Sequence, residues 1–278
     1  MLNMLIKMKI ISLFFLIAAI TLSCKDKKDA APDETEIVPE AELRLKVLCY
    51  NLRFGELATL EEIAEFINQQ NPDLVALQEV DVRTYRAGLT HQHGKDFITE
   101  LGYRTGMTSA FAKAISTANG YYGVGILSKF PLASVERIFL PHPEPQGSRQ
   151  QRVLLVADVE YDEDKYFTFV NTHLDHSNTE VRQIQVARIN DILRTNVYPM
   201  IFAGDFNGRP ASLEISEGMS QWKPLCNHQL PTSPAHSPTA KIDYIFAFPP
   251  SRWESVSASR PMAQLSDHLP VSIVVDLK

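Results

Sequence analysis

Cysteine is scarce in this chain, three in 278 residues, and no spacing among them suggests a zinc site. Positive charge is also short: 27 Lys and Arg stand against 33 Asp and Glu, for a net charge of -6. That balance removes a global basic footprint for nucleic acid, although a local patch can coexist with an acidic total. There is no basic stripe, no membrane-inserting aromatic hairpin and no repeat at a fixed short period. What is present is ordinary for a globular chain: 45% hydrophobic residues, enough to bury a sizeable core. The length suits one or two domains, and one large α/β domain accounts for it.

The N-terminus reads as a targeting segment. Lys7 and Lys9 precede an apolar run over residues 10–22 that is too short for a comfortable membrane span. It ends in Thr21-Leu22-Ser23-Cys24, which resembles a bacterial lipoprotein signal, with Thr21 standing where such signals usually have Leu. The resemblance implies cleavage before Cys24, lipidation of Cys24 and a lipid-anchored position at the cell envelope. Residues 25–42 hold three Lys against seven Asp and Glu, and are expected to be a disordered tether. A domain over residues 43–278 follows. Cys49 is expected as a buried free thiol, with a Cys49–Cys226 disulfide as the alternative.

Hydrophobic periodicity sets out the elements. Strands are expected over residues 44–50, 73–77, 122–128, 132–140, 153–161, 166–171, 200–203, 241–248, 253–259 and 271–277. The segments over 122–128 and 132–140 read as neighbours, and those over 153–161 and 166–171 as a hairpin. Helices are expected over 59–70, with Leu60, Ile63, Ala64, Phe66 and Ile67 inward; over 96–101, stopped by Gly102; and over 178–194, with Val181, Ile184, Ala187 and Ile192 apolar. So many strands with so few helices fit two packed mixed sheets with helices outside, since a purely parallel sheet needs a helix in nearly every crossover.

The chemistry gathers at strand ends. The stretch PMIFAGDFNGRP, residues 199–210, is an apolar strand ended by Gly204 and followed by Asp205, Phe206 and Asn207. Period-two alternation predicts that Asp205 and Asn207 point the same way. A plain polar turn after a buried strand is the alternative for this stretch taken alone. Asn51, Glu79, His173, Asp243 and the Asp267-His268 pair stand at or beside other strands in the same manner. Each has a bland alternative, such as a turn cap or half of a buried ion pair. Six strand ends bearing Asp, Asn, Glu or His are harder to explain by folding, because clustered carboxylates are costly without a cation.

The ordered set YNLR, LQE, GVGILSK, NTHLD, GDFN, KIDYIF and SDHLP resembles the endonuclease/exonuclease/phosphatase superfamily over about residues 45–275. The resemblance implies a four-layer α/β/β/α sandwich of two mixed sheets like that of DNase I. It implies a hydrolase of phosphate esters in nucleic acids, phospholipids or small phosphates, using Mg²⁺, with Mn²⁺ or Ca²⁺ as substitutes. Carried over by motif, Asn51, Glu79 and Asp267 are metal-site residues. Asp205 orients or deprotonates the attacking water, and Asn207 contacts phosphate. His173 and His268 flank the scissile phosphate, with Asp243 holding His268. The base is either Asp205 or the Asp243–His268 pair, and Asp205 is preferred. Arg86 and Arg152 are weaker substrate contacts, with solvated surface arginines as the alternative.

The expected function is a metal-dependent phosphoesterase, foremost a phosphodiesterase of endonuclease type. A phospholipase or sphingomyelinase-like enzyme and an inositol- or sugar-phosphate phosphatase are alternatives. An inactive binding lipoprotein on the same fold is the non-enzymatic rival, and the presence of every motif residue argues against it. The implied partners are the phosphate-ester substrate and, through the N-terminal lipid, a membrane; no protein partner is implied.

Overall fold

The structure, a computed structural model, describes residues 41–143 and 150–278. The signal segment, Cys24 and most of the expected tether lie outside the described residues. Two six-stranded sheets make the core. In chain order the strands are β1 (Leu43–Asn51), β2 (Leu74–Val82), β3 (Thr108–Thr117), β4 (Gly120–Ser128), β5 (Leu132–Phe139) and β6 (Val153–Asp162). Then come β7 (Lys165–His173), β8 (Met200–Asp205), β9 (Lys223–Pro224), β10 (Asp243–Phe248), β11 (Trp253–Ser259) and β12 (Val271–Leu277). The helices are α1 (Leu60–Gln70), α2 (Phe97–Thr105), α3 (Thr179–Leu193) and the short α4 (Leu213–Ser216).

The first sheet runs β11-β12-β1-β2-β4-β3 and the second β5-β6-β7-β8-β10-β9. Each sheet holds one parallel pair, β1 with β2 and β7 with β8, and each pair is joined through a helix, α1 or α3. The second sheet is one continuous stretch of chain, β5 to β10, inserted between β4 and β11 of the first. Among the described residues no helix is long and apolar enough to cross a membrane.

The inner faces of both sheets meet in one apolar core that includes Val47, Cys49, Ile126, Leu155, Phe169, Ile201 and Ile273. A second cluster lies between the first sheet and α1 and α2. In α1, Leu60, Ile63, Ala64 and Ile67 are buried at the i, i+3, i+4, i+7 spacing of one helix face. Thr59 and Glu62 form a reciprocal capping box at its start, and Asn71 closes it in the left-handed region at φ 49°.

Several expectations need correcting. The segments over 122–128 and 132–140 are not neighbours: β4 belongs to the first sheet and β5 edges the second, so the Lys129-Phe130-Pro131 link changes sheets. Strand β4 pairs instead with β3, which the sequence reading missed because TSAFAKAIST is built of small, weakly alternating residues. Gly102 does not stop α2, which runs to Thr105 and is closed by Gly106 at φ 68°. Gly102 is small because a Cβ there would lie 3.0 Å from the Met107 carbonyl oxygen and from Ser109 Cβ. Gly204 does not end β8, which continues through Asp205.

Helix α3 turns a mixed face inward, burying Arg182 and Gln185 beside Val181, Val186 and Ile189 while Ile184 is exposed. The polar pair faces in because it is bonded there. Arg182 Nε donates to Glu214 at 2.6 Å, and Gln185 Oε1 accepts from the Asp175 backbone N–H at 3.0 Å. Cys49 and Cys226 are both buried and both free.

Candidate active site

The strand ends converge at one edge of the sandwich. Asp205 closes β8, and register places His173 of β7 beside it on one side and Asp243 of β10 on the other. Residues in register share a face, so the three side chains form one row across the second sheet. From the first sheet, Asn51 closes β1 and Glu79 sits in β2. His268 comes from the segment leading into β12.

The distances tie these groups together. Asn51 Nδ2 donates to Asp205 Oδ2 at 3.0 Å and to Glu79 Oε1 at 3.2 Å, linking the two sheets. His268 Nδ1 lies 2.9 Å from Asp243 Oδ2 and 3.9 Å from Asp205 Oδ2, and His173 Nε2 lies 3.5 Å from Asp205 Oδ2. Asn51, His173, Asp205, Asp243 and His268 are all buried.

Water exclusion and neighbours set the protonation states. Burial raises the Asp205 carboxyl and the Asp243 charge raises it further, to about 7, against the pull of His268 and the Asn207 and Asn51 hydrogen bonds. Burial works against a charged His268 ring. The attraction and hydrogen bond of Asp243 outweigh it, with Asp205 adding to them, and the ring is pushed up to about 10. Burial holds His173 well below the usual histidine value, and the Arg152 charge lowers it further. Burial also raises Glu79, against its hydrogen bond from Asn51.

The other expected site residues are placed less uniformly. Asn207 lies past the strand end at φ 51°, so alternation is not what relates it to Asp205. Its backbone N–H caps Asp205 Oδ1 at 2.9 Å, and its side chain donates to the Leu174 carbonyl at 3.1 Å. Asp267 is held by Arg53, Nη1 to Oδ2 at 2.7 Å, while the Arg53 backbone N–H donates to Asn51 Oδ1 at 2.9 Å. Arg86 makes two bonds to the buried Asp81, at 2.6 and 3.0 Å, and stacks over the Phe54 ring at 4.2 Å. It braces the rim with its charge already met.

Arg152 differs. It is buried, none of the described ion pairs includes it, and its Nε has no hydrogen-bond partner. Its Nη2 approaches His176 Nδ1 at 3.3 Å, and it bonds to the Tyr122 hydroxyl. His173 Nδ1 is a second buried atom without a partner. Two residues behind the row were not anticipated. Thr232 donates a short hydrogen bond from its hydroxyl to Asp243 Oδ2 and is fully buried. Tyr122 is buried within the electrostatic reach of Glu79. A threonine between two loop prolines carries no sequence signal of such a role.

One atom each from Asp205, Asp243 and His268 lie within 4.8 Å of one another, close enough to hold a cation. Two buried carboxylates side by side, Asp205 and Asp243, with Glu79 linked to Asp205 through Asn51, make a donor set that fits a hard divalent ion. Asn51 and Asp267 meet that description less directly, since Arg53 bonds the amide oxygen of one and a carboxylate oxygen of the other.

Comparison with known proteins agrees with this fold. The solved structure of an endonuclease/exonuclease/phosphatase from Bacteroides vulgatus superposes with TM-score 0.68 at 19% identity, covering 85% of this chain and 100% of that one. A mannosyl-6-phosphatase from Bacteroides thetaiotaomicron gives TM-score 0.64 at 17% identity, covering 83% and 99%. The human Nocturnin catalytic domain with bound sulfate gives 0.60 at 19%, covering 84% and 95%. At these identities the likeness is one of fold, and it matches the paired sheets flanked by helices. The Endonuclease/Exonuclease/phosphatase family model matches residues 48–268. The span runs from Leu48 in β1 to His268 in the site, and on that match the chain belongs to the endonuclease/exonuclease/phosphatase family.

Proposed function

We propose that this chain is a divalent-metal-dependent phosphoesterase that hydrolyses a phosphate ester by in-line attack of an activated water. The supporting observation is Asp205, a buried carboxylate in register between His173 and Asp243 whose pKa is pushed up to about 7. A base with that pKa accepts a proton from water near neutral pH far better than an ordinary aspartate does. His268, charged and held by Asp243, donates a hydrogen bond to a phosphoryl oxygen as negative charge develops there. His173, kept neutral by burial, orients toward Asp205 through Nε2 and presents Nδ1 without a partner. Glu79, with Asn51 and Asp267, would hold Mg²⁺, or Mn²⁺ or Ca²⁺ in its place. Bound there, such an ion polarises the phosphoryl group and offsets the clustered carboxylates.

The sequence expectation is a diesterase of nuclease type. Arg152 favours a phosphate monoester instead. It is a buried guanidinium that feels Glu79 and Asp175 only at a distance, with no carboxylate in hydrogen-bond contact among the described ion pairs. A terminal phosphate brings a second negative charge that a diester lacks. Lipidation at Cys24 and anchoring at the envelope belong to the same reading, and palmitate labelling lost in Cys24→Ala tests them.

The deciding assay offers the purified chain p-nitrophenyl phosphate, bis-p-nitrophenyl phosphate, single- and double-stranded DNA and sphingomyelin, each with Mg²⁺ and with EDTA. The expected outcome is EDTA-sensitive turnover, fastest on the monoester. Faster diester or DNA cleavage would return the substrate to the nuclease class. Turnover unaffected by EDTA, or none on any substrate, would overturn the proposal.

A further inference from the structure

Among the fully buried amides that the mechanism above does not use, Asn171 lies nearest the row of side chains. It stands on β7 two residues before His173, on the same face of the strand. Across the sandwich, β2 carries a bulge: Leu77 pairs with Gly125 and Val80 with Gly123, so Gln78 and Glu79 together oppose Val124. Glu79 takes φ +54° there, the left-handed region that side chains rarely adopt.

The bulge changes where Glu79 points. In an unbroken strand Leu77 and Glu79 would share a face, and Leu77 packs into the cluster beneath α1 and α2. With the extra residue, Val80 takes the next place in that cluster. Glu79 is released toward the strand end, where its Oε1 meets Asn51 Nδ2 at 3.2 Å. Without the bulge, the carboxylate would be directed into apolar packing.

Asn171 fastens the bulge from the opposite sheet. Its Nδ2 donates to the Leu77 carbonyl at 2.9 Å and to the Gly125 carbonyl at 2.7 Å, the paired residues at one edge of the bulge. Its Oδ1 accepts from Gln78 Nε2 at 2.7 Å, within the bulge itself. Gln78 is fully buried, and Cys49 Sγ lies 3.7 Å from its Oε1. All three bonds of one amide therefore converge on two residues of β2 and their partner on β4. Since Asn171 and His173 share a strand, the same contact fixes the first sheet's carboxylate against the second sheet's catalytic row.

We propose that Asn171 is a positioning residue that holds the β2 bulge and thereby aims Glu79 into the metal-binding edge of the site. The proposal deepens the phosphoesterase reading and rests on it for the role of Glu79. The test compares Asn171→Ala and Gln78→Met with Thr168→Val, which removes the part-buried hydrogen bonds to Asp158 and from Asn196 at the other end of β7. Mn²⁺ binding is followed by calorimetry without substrate, alongside kcat, KM and cooperative unfolding. Asn171→Ala is expected to weaken Mn²⁺ binding and lower kcat by about 10–100-fold with KM little changed. Gln78→Met shifts both in the same direction by less, and remains informative if Asn171→Ala fails to fold. Thr168→Val should lose stability alone. Unchanged Mn²⁺ affinity in Gln78→Met and in folded Asn171→Ala, or an equal loss in Thr168→Val, would overturn the proposal, as would a wild type that binds no Mn²⁺. A wild type that binds Mn²⁺ but hydrolyses nothing would sink the activity reading and leave the binding series to judge Asn171.

Discussion

The two ends of the sandwich use the same strands to opposite purposes. At one end, β1 carries Arg44, paired with Asp276 at 2.7 Å, and the β6–β7 turn carries Lys165, paired with Asp162 at 3.1 Å. Lys278 and Glu254 add a third such pair at 2.8 Å. Opposite charges meet there and at least one partner of each stands in water. At the other end, β1 finishes in Asn51, β7 in His173 and β8 in Asp205, all buried, and Asp243 of β10 sets a second buried carboxylate beside Asp205. Pairing at the far end contributes little, as exposed ion pairs do. Crowding at the near end costs stability, which charged His268 offsets in part and a bound cation would offset further. The difference marks where the fold has been shaped for something other than folding.

The largest effect expected from disturbing this contrast is at Asp205. Asp205→Asn should lower kcat by about 10²–10⁴-fold, as loss of a general base does. The metal-free protein should be as stable as wild type or more so, by up to about 1 kcal/mol, because one of two adjacent buried acids is gone. Urea unfolding beside steady-state kinetics measures both, and a parallel fall in stability and activity would place Asp205 with the structural residues.

Arg152→Met comes next. Removing a charged hydrogen-bond donor to phosphate should raise KM for a monoester by about 10–100-fold, with a smaller change for a diester. Equal effects on both substrates would remove the argument for a terminal phosphate.

Legibility in the sequence followed the same contrast. The site residues announced themselves because a polar side chain at the end of an apolar strand violates ordinary patterning: Asp205 after MIFAG and His173 after FTFVNT are visible for that reason. What sequence could not supply was how strands pair. Strand β3 was missed, β4 and β5 were joined wrongly, and α3 was read by its apolar residues although bonded Arg182 and Gln185 decide its inward face. The bulge at Glu79 was hidden too, since no glycine marks it. Gln78 and Asn171 look like ordinary strand polar residues until the two sheets are brought together.

A third test concerns pH. His268 has its folded pKa raised to about 10, against an ordinary value near 6.5. The folded state therefore holds a proton the unfolded state has lost, and this stabilisation is full below about 6.5 and disappears as pH rises through about 10. In EDTA-treated protein, thermal unfolding midpoints should fall between pH 7 and pH 10, and His268→Gln should flatten that fall. The smallest effect is expected at the far end. The Arg44 hydrogen bond and charge lower Asp276, so its contribution is present above about pH 4 and is lost on further acidification. At pH 7, Asp276→Asn should shift Tm by less than about 2 °C and leave kcat unchanged. A drop comparable to any variant at the site would erase the contrast between the two ends.

The insertion of the second sheet into the first has a consequence for how the molecule comes into being. Glu79 is made early, the row of His173, Asp205 and Asp243 in the middle, and His268 close to the last strand, β12, which pairs with β1. A ribosome emits these groups in sequence over nearly two hundred residues. The ring that Asp243 holds arrives only when the chain returns to the sheet where it began. The clustered side chains are thus brought together only once nearly the whole chain has been made.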